Sequence, residues 1–250
     1  MKRIQKKARR IISSVACLII LVYNVNADEV PPDNPNDQAA LAEIAKNGTN
    51  ALARIEVIEK LDDQTVLVEI AKNDKEKNHV REAAINKLND KNILAEIAKN
   101  NVGQKAYTAV HRLHDQVLLA EIAKSAGNWQ VRMAAVRKLE NQATLIEIAN
   151  NDKNAGVRQV AVEQINDQAV LTEMAINNND GYVRQAAVGK LEDQPVLEKI
   201  AKNEKALIIR LAAIDKLENK ELLADIAKND GNKLVRQVAT ERLEELQEDD

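Results

Sequence analysis

The stretch from Asp167 to Leu191, DQAVLTEMAINNNDGYVRQAAVGKL, contains two apolar patterns separated by a polar turn. In both halves the apolar residues recur at the i, i+3, i+4 spacing of a helix with one buried stripe. They are Val170, Leu171, Met174 and Ala175 in the first half, and Val183, Ala186, Ala187 and Leu191 in the second. The Asn- and Asp-rich turn 177–180 is typical of a tight connection. The stretch therefore predicts a hairpin of two short helices.

The same pattern recurs along nearly the whole chain. The dipeptide that opens each copy is Asp37-Gln38, Asp63-Gln64, Asp90-Lys91, Asp115-Gln116, Asn141-Gln142, Asp167-Gln168, Asp193-Gln194 or Asn219-Lys220, at steps of 25 to 27 residues. Asp and Asn are preferred helix N-caps, so each dipeptide marks the start of a first helix. Helices of about 9 to 12 residues are marginal alone in water and must stack to bury their stripes. The sequence predicts an all-α fold, an α-solenoid of eight short helical-hairpin repeats over residues 37–250.

An arginine column marks the start of the second helix of each repeat. It consists of Arg54, Arg81, Arg132, Arg158, Arg184, Arg210 and Arg236, with Tyr107 at this position in the third repeat. Six residues before some of these arginines lies an acid, as Asp152 precedes Arg158. Guanidinium and carboxylate groups at repeat spacing favour a structural ladder between stacked repeats over an anion-binding stripe. On the first helices, Glu and Lys three residues apart, such as Glu69 and Lys72, are interpreted as pairs within one helix.

The pattern L-x-E-I-A-K-N-D, a short gap and then V-R-x-A-A-V-x-K-L resembles the HEAT-repeat superfamily, in particular the short HEAT-like repeats of phycobilin lyases. The resemblance covers about residues 37–246 and implies a helical solenoid with acid–arginine ladders between repeats. Leucine-rich-repeat-variant solenoids, which also carry a V-R pair, are the alternative. No residue supports the lyase activity of some relatives, and the His-Glu dipeptides of HEAT-like metalloenzymes do not occur in this sequence.

The first 27 residues differ in composition from the rest. A basic segment ending at Arg10 precedes the apolar run 11–22, and Val25-Asn26-Ala27 resembles a signal-peptidase site. We interpret residues 1–27 as a signal peptide cleaved after Ala27 and residues 28–36 as a Pro-rich leader. The protein is then periplasmic or secreted, without stable membrane insertion after cleavage. Because Cys17 is the one cysteine, the mature chain has no disulfide.

The net charge of the mature chain limits the kinds of partner that it is expected to bind. The signal segment holds six of the 36 basic residues and none of the 39 acidic ones, which leaves 30 against 39, or −9. Such an acidic protein is not expected to favour nucleic acid or anionic membrane surfaces. A protein partner is the remaining expectation.

Residues with catalytic chemistry are few. His111 and His114 stand three apart beside Asp115, a weak metal-binding signal, and His79 is the third histidine. Neither a G-x-S-x-G turn nor a phosphate-binding loop occurs in the sequence. The sequence predicts no catalytic residue, no cofactor and no metal ligand, and hence a protein that is not an enzyme.

Departures from the repeat are the candidate binding residues. The aromatic ones are Tyr107, Trp129 and Tyr182, which lie at or near the start of second helices. Trp and Tyr are enriched in interface hot spots, although here they could instead cover repeat junctions. A basic column on the second helices supplies Lys138, Lys190 and Lys216, either as a basic track or as an ordinary solvated edge.

These observations predict an exported, non-enzymatic scaffold that binds a protein along the solenoid surface. A structural spacer or stress-related envelope protein without a discrete ligand is one alternative. A weak metal-handling enzyme centred on the histidines is the other.

Overall fold

The computed structural model describes residues 37–248, and in that range all regular structure is helical. The sixteen helices are α1 Gln38–Asn47, α2 Ala51–Lys60, α3 Gln64–Lys72, α4 Asn78–Lys87, α5 Lys91–Asn100, α6 Gln104–Arg112, α7 Gln116–Ser125, α8 Trp129–Val136, α9 Gln142–Asn151, α10 Ala155–Glu163, α11 Gln168–Asn177, α12 Gly181–Lys190, α13 Gln194–Asn203, α14 Leu207–Ile214, α15 Lys220–Asn229 and α16 Lys233–Glu248. Odd-numbered helices are the first and even-numbered helices the second of each hairpin, so the predicted all-α array of helical hairpins is confirmed.

The predicted signal peptide, residues 1–27, and the leader, residues 28–36, lie outside the described residues, so both stay predictions. Within residues 37–248, no helix combines the length and the apolar character that crossing a membrane requires.

The hairpins form two compact bodies, an N-terminal one ending at Val131 and a C-terminal one starting at Arg132. In the N-terminal body, α2, α4 and α6 pack side by side. In the C-terminal body, α10, α12, α14 and α16 do the same, whereas the first helices there make few contacts with one another. Close packing is therefore concentrated on the second helices, and grooves remain between neighbouring first helices.

The interior of both bodies is aliphatic. Fully buried positions include Leu67 and Ile85 in the N-terminal body and Leu145 and Leu171 in the C-terminal body. Small residues such as Ala187 are equally buried, which lets neighbouring helices approach closely without aromatic side chains. Among residues 37–248, Thr108 and Arg132 are the polar residues that are buried as a whole, with 6% and 2% of their surface exposed.

First helices begin where the sequence predicts. The Asp167 carboxylate accepts hydrogen bonds from the backbone N–H groups of Ala169 (2.9 Å) and Val170 (3.2 Å). Asp63, Asp90 and Asp115 cap their helices in the same way. Each cap satisfies N–H groups that have no partner inside the helix.

The glutamine that follows most N-caps closes its own hairpin. Gln168 Nε2 donates to the carbonyl of Lys190 (3.1 Å), and its Oε1 accepts from the backbone N–H of Glu192 (3.1 Å). We call this two-bond contact the glutamine clasp. Gln38, Gln64, Gln142 and Gln194 make the same pair of bonds. The clasp gives the Asp-Gln dipeptide a second role besides capping.

Replacing Gln168 with alanine is expected to lower the free energy of unfolding by roughly 1–2 kcal/mol, because two backbone groups lose their partners at once. Gln159→Ala is the matched control, since the exposed Gln159 side chain donates its hydrogen bond to Glu163 on the same helix and not to another helix. Urea denaturation of the three proteins compares them, and equal losses for both variants would contradict the role of the clasp.

Candidate functional site

The arginine column forms a ladder between neighbouring repeats. In each rung the guanidinium of one repeat pairs with an acid of the next one. The pairs are Arg54–Glu76, Arg132–Asp152, Arg158–Asp180, Arg184–Glu204 and Arg210–Asp230. The Arg132 rung is bidentate, with Nε–Oδ2 at 2.7 Å and Nη2–Oδ1 at 2.8 Å. This geometry favours the structural interpretation of the column.

The acid that lies six residues before an arginine is therefore not its carboxylate partner. Arg158 Nη1 donates to the backbone carbonyl of Asp152 (2.6 Å), while Arg158 Nε donates to the Asp180 carboxylate (2.6 Å). Arg236 likewise donates to the carbonyl of Asp230. Each such arginine thus fixes its own turn through the backbone, and the side chain of the turn acid binds the preceding repeat.

The ladder lowers the pKa of two of its acids, Asp152 and Glu76. Burial raises the pKa of Asp152, but the hydrogen bonds from Arg132 and from the Asn154 N–H lower it, and the net pKa lies below its ordinary value. The pKa of Glu76 is lowered in the same way, burial being outweighed by hydrogen bonds from Arg54 and from the Lys77 N–H. These carboxylates are held by structure rather than offered to a substrate.

Two departures interrupt the ladder in the N-terminal body. Asn101 holds the place of the turn acid in the third repeat, and Arg81 donates to the carbonyls of Asn73 and Asp74 instead. In that repeat Tyr107 replaces the arginine, and in the fourth repeat Ala126 replaces the acid. Because the last two replacements fall on one rung, neither leaves an unpaired charge behind.

The basic column of the second helices binds backbone carbonyls. Lys190 Nζ donates to the carbonyl of Glu163 (2.6 Å), and Lys216 Nζ donates to the carbonyl of Gly189 (2.8 Å). Lys87, Arg112 and Arg242 reach the end of the preceding second helix in the same way. A cation at a helix C-terminus satisfies carbonyls that have no partner within the helix. This placement favours a structural role for Lys190 and Lys216.

Lys138, the third lysine predicted to bind a partner, is half-buried, and burial lowers its pKa.

The aromatic candidates have different environments. In the N-terminal body, Tyr107 is half-buried in α6, while Trp129 begins α8 with 42% of its surface exposed. In the C-terminal body, Tyr182 is 61% exposed near the start of α12. Tyr182 and Trp129 thus present large surfaces to solvent, and Tyr107 does not.

Tyr182 belongs to a row of exposed apolar side chains. Ile208 in α14 and Leu234 in α16 stand at the same repeat position, two residues before the column arginine, and are 62% and 44% exposed. We call these three residues the apolar strip. Ile208 and Leu234 were not predicted to bind a partner, because the prediction rested on aromatic residue type rather than on apolar residues that recur at one repeat position. Comparing the residues at this position across the repeats would have found them from the sequence.

Lysines of the first helices also connect repeats. In the N-terminal body, Lys46–Glu69, Lys72–Glu96 and Lys99–Glu121 join neighbouring first helices at 2.5, 2.8 and 2.6 Å. The prediction of pairs within one helix is wrong here, because stacking brings each lysine to the glutamate of the next helix. We call these contacts Lys–Glu rungs.

The three histidines are exposed. Within residues 37–248, no group of three or more His, Cys, Asp or Glu side chains is arranged to hold a metal ion.

Comparison with known proteins does not assign a family to this chain. No protein-family model and no curated protein matches this chain. Among solved structures, human deoxyhypusine hydroxylase in complex with glycerol matches with 16% sequence identity, 84% coverage of each chain and a TM-score of 0.27. The HEAT-like character of the fold, in the coarse sense of stacked helical hairpins, accordingly rests on the hairpins described above.

One prediction is corrected by this match. The sequence predicted a protein that is not an enzyme, and the matched chain is an enzyme, so that prediction is withdrawn. The match assigns no activity, substrate or active-site residue to this chain, because its identity and TM-score are too low.

Proposed function

We propose that the protein is an exported binding scaffold that engages a protein partner through the apolar strip Tyr182, Ile208 and Leu234. The observation that carries this proposal is the exposure of three large apolar side chains at one position of three consecutive repeats. Helices pack roughly 8–10 Å apart, so these side chains span roughly 16–20 Å. That length suits the buried centre of a protein interface.

The surface beside the strip is compatible with such a centre. One turn further along the same helices lie Ala186, Ala212 and Val238, all half-buried. Small residues there leave room for a partner side chain between the larger ones. Water excluded from such a surface stabilises a complex in proportion to the apolar area that is buried.

The proposal also includes the type of repeat and the cellular location of the protein. The ladder of Arg158–Asp180 and its equivalents supports short HEAT-like repeats of the phycobilin-lyase type, with leucine-rich-repeat-variant solenoids as the alternative. The basic and apolar pattern of residues 1–27 supports export to the periplasm or the cell exterior.

The test is a capture experiment with residues 28–250 as bait in extracts of the source organism, followed by affinity measurement with the captured partner. A triple variant, Tyr182→Ser, Ile208→Ser and Leu234→Ser, should weaken binding by at least about 30-fold, as expected for hot-spot residues. Val117→Ser is the control, since Val117 is 77% exposed and lies outside the strip. The control should bind like the wild type.

Two outcomes contradict the proposal. Equal binding by the triple variant and the wild type would place the interface elsewhere. If the bait captures no partner at all, the chain is better described as a structural spacer.

A further inference from the structure

A groove of about 800 Å³ opens between the first helices α9 and α11 of the C-terminal body. Its walls include the apolar side chains of Ile146, Val170 and Met174, and its polar lining includes Asn150 and Glu173. The lining also reaches Arg158 on α10 and the turn 178–180, but it includes none of the apolar-strip residues. The inference drawn from the groove therefore does not depend on the proposed function.

Glu173 occupies the glutamate position of a Lys–Glu rung. In the N-terminal body, Glu69, Glu96 and Glu121 stand at this repeat position, and each binds a lysine of the preceding first helix. The lysine position beside Glu173 holds Asn150 instead. The Glu173 carboxylate accepts a hydrogen bond from Asn177 Nδ2 on its own helix (2.9 Å). In the described part of the chain it has no cationic partner.

The next rung position, between α11 and α13, has neither the lysine nor the glutamate of a Lys–Glu rung. There Ile176 stands in place of the lysine, and Lys199 stands in place of the glutamate. Since the acid is lost together with its usual partner, no carboxylate is left over. Only between α9 and α11 does the described part of the C-terminal body keep the glutamate and lose the lysine. This difference singles out the groove at Glu173.

We propose that this groove binds a lysine side chain of a protein partner. The ammonium group takes the place that a lysine of this chain takes in the other Lys–Glu rungs and pairs with the Glu173 carboxylate. The methylene stem of the lysine lies along Ile146, Val170 and Met174, whose apolar surface it removes from water. Asn150 carries no charge, and its Oδ1 already accepts a hydrogen bond from Asn178 Nδ2 (3.0 Å).

The experiment uses the full chain with ¹³C-labelled methionine methyl groups. Met174 lines the groove, and Met133 on α8 serves as the internal reference. The probe is blocked lysine, Nα-acetyl-lysine-N-methylamide, and blocked norleucine is the uncharged match. We expect blocked lysine to shift the Met174 signal with half-saturation on the order of 1–10 mM, with most of the affinity coming from burial of the stem and about fivefold from the exposed ion pair. Blocked norleucine should bind at least about fivefold more weakly.

Two variants report on the rung. Glu173→Gln removes the charge and should weaken blocked-lysine binding about fivefold. Asn150→Lys supplies the missing cation from within the chain and should abolish probe binding while leaving the helical circular dichroism unchanged. Glu121→Gln, which alters a complete rung, is the control and should bind the probe like the wild type.

Several results would overturn the proposal. They are an unshifted Met174 signal at saturating blocked lysine, equal binding by Glu173→Gln and the wild type, and undiminished binding by Asn150→Lys. Tighter binding of spermidine than of blocked lysine by tenfold or more would also overturn it, since the ligand would then be a free polyamine. None of these results bears on partner capture through the apolar strip.

Discussion

Replacing Arg132 with alanine is expected to lower the free energy of unfolding by about 3–5 kcal/mol, the range for breaking a buried ion pair by removing one partner. Arg132 and Asp152 have only 2% and 5% of their side chains exposed, and two hydrogen bonds join them. Without the guanidinium, the Asp152 carboxylate stays buried with its charge uncompensated. Urea denaturation followed by circular dichroism measures the loss, and hydrogen exchange shows whether it is concentrated in α8 to α10.

The same rung predicts a pH dependence. The pKa of Asp152 is lowered from its ordinary value of 3.8 in the folded protein. A carboxyl group with a lowered pKa stabilises the fold above its unfolded pKa, and that contribution is lost as the pH falls through the folded pKa. The wild type should therefore lose this contribution below about pH 4, a window set by the unfolded pKa. The Arg132→Ala variant should lose less stability over the same pH range.

Arg158 is the matched control for the ladder. It makes the same kind of rung with Asp180, but both side chains are about one-fifth exposed. Water screens a more exposed pair, so Arg158→Ala should cost less than Arg132→Ala. If the two variants lose the same stability, burial does not govern the strength of the ladder.

Replacing Leu191 with alanine is expected to cost about 2–5 kcal/mol, the range for a buried leucine. Leu191 follows α12 and is fully buried, as are its equivalents Leu88 and Leu217. The lost methylene groups give up their transfer free energy, and the rigid helices around the cavity relax only in part. Thermal or urea denaturation measures the change.

Leu243 offers a control at the same repeat position. It lies in α16, which runs for 16 residues, and it is only half-buried. Its replacement by alanine should cost clearly less than that of Leu191, because part of its surface already faces water. A cost at Leu243 equal to that at Leu191 would show that burial does not set the size of the loss at this position.

The hairpins were accessible from sequence because both of their signals are local. The i, i+3, i+4 stripe of Leu171 and Met174 and the capping position of Asp167 are set by the helix itself. Repetition of such signals at 25 to 27 residues then indicates a stack without any further information. The apolar strip could have been found in the same way, by comparing Tyr182 with Ile208 and Leu234.

The partners of the charged side chains could not be found by spacing alone. Asp152 lies six residues before Arg158, yet its carboxylate binds Arg132, and Lys72 binds Glu96 rather than Glu69. Contacts between repeats depend on the offset between stacked hairpins. Separation along the sequence does not give that offset. The groove at Glu173 became visible only when the rungs of the other repeats showed which partner was missing.

The sequence by itself determined the helices, their caps and their repetition, because these follow from preferences within a few neighbouring residues. The tertiary structure alone decided which acid each arginine binds, which lysines end on backbone carbonyls and which apolar side chains stay exposed. Those outcomes depend on distances and burial between helices that are brought together by packing.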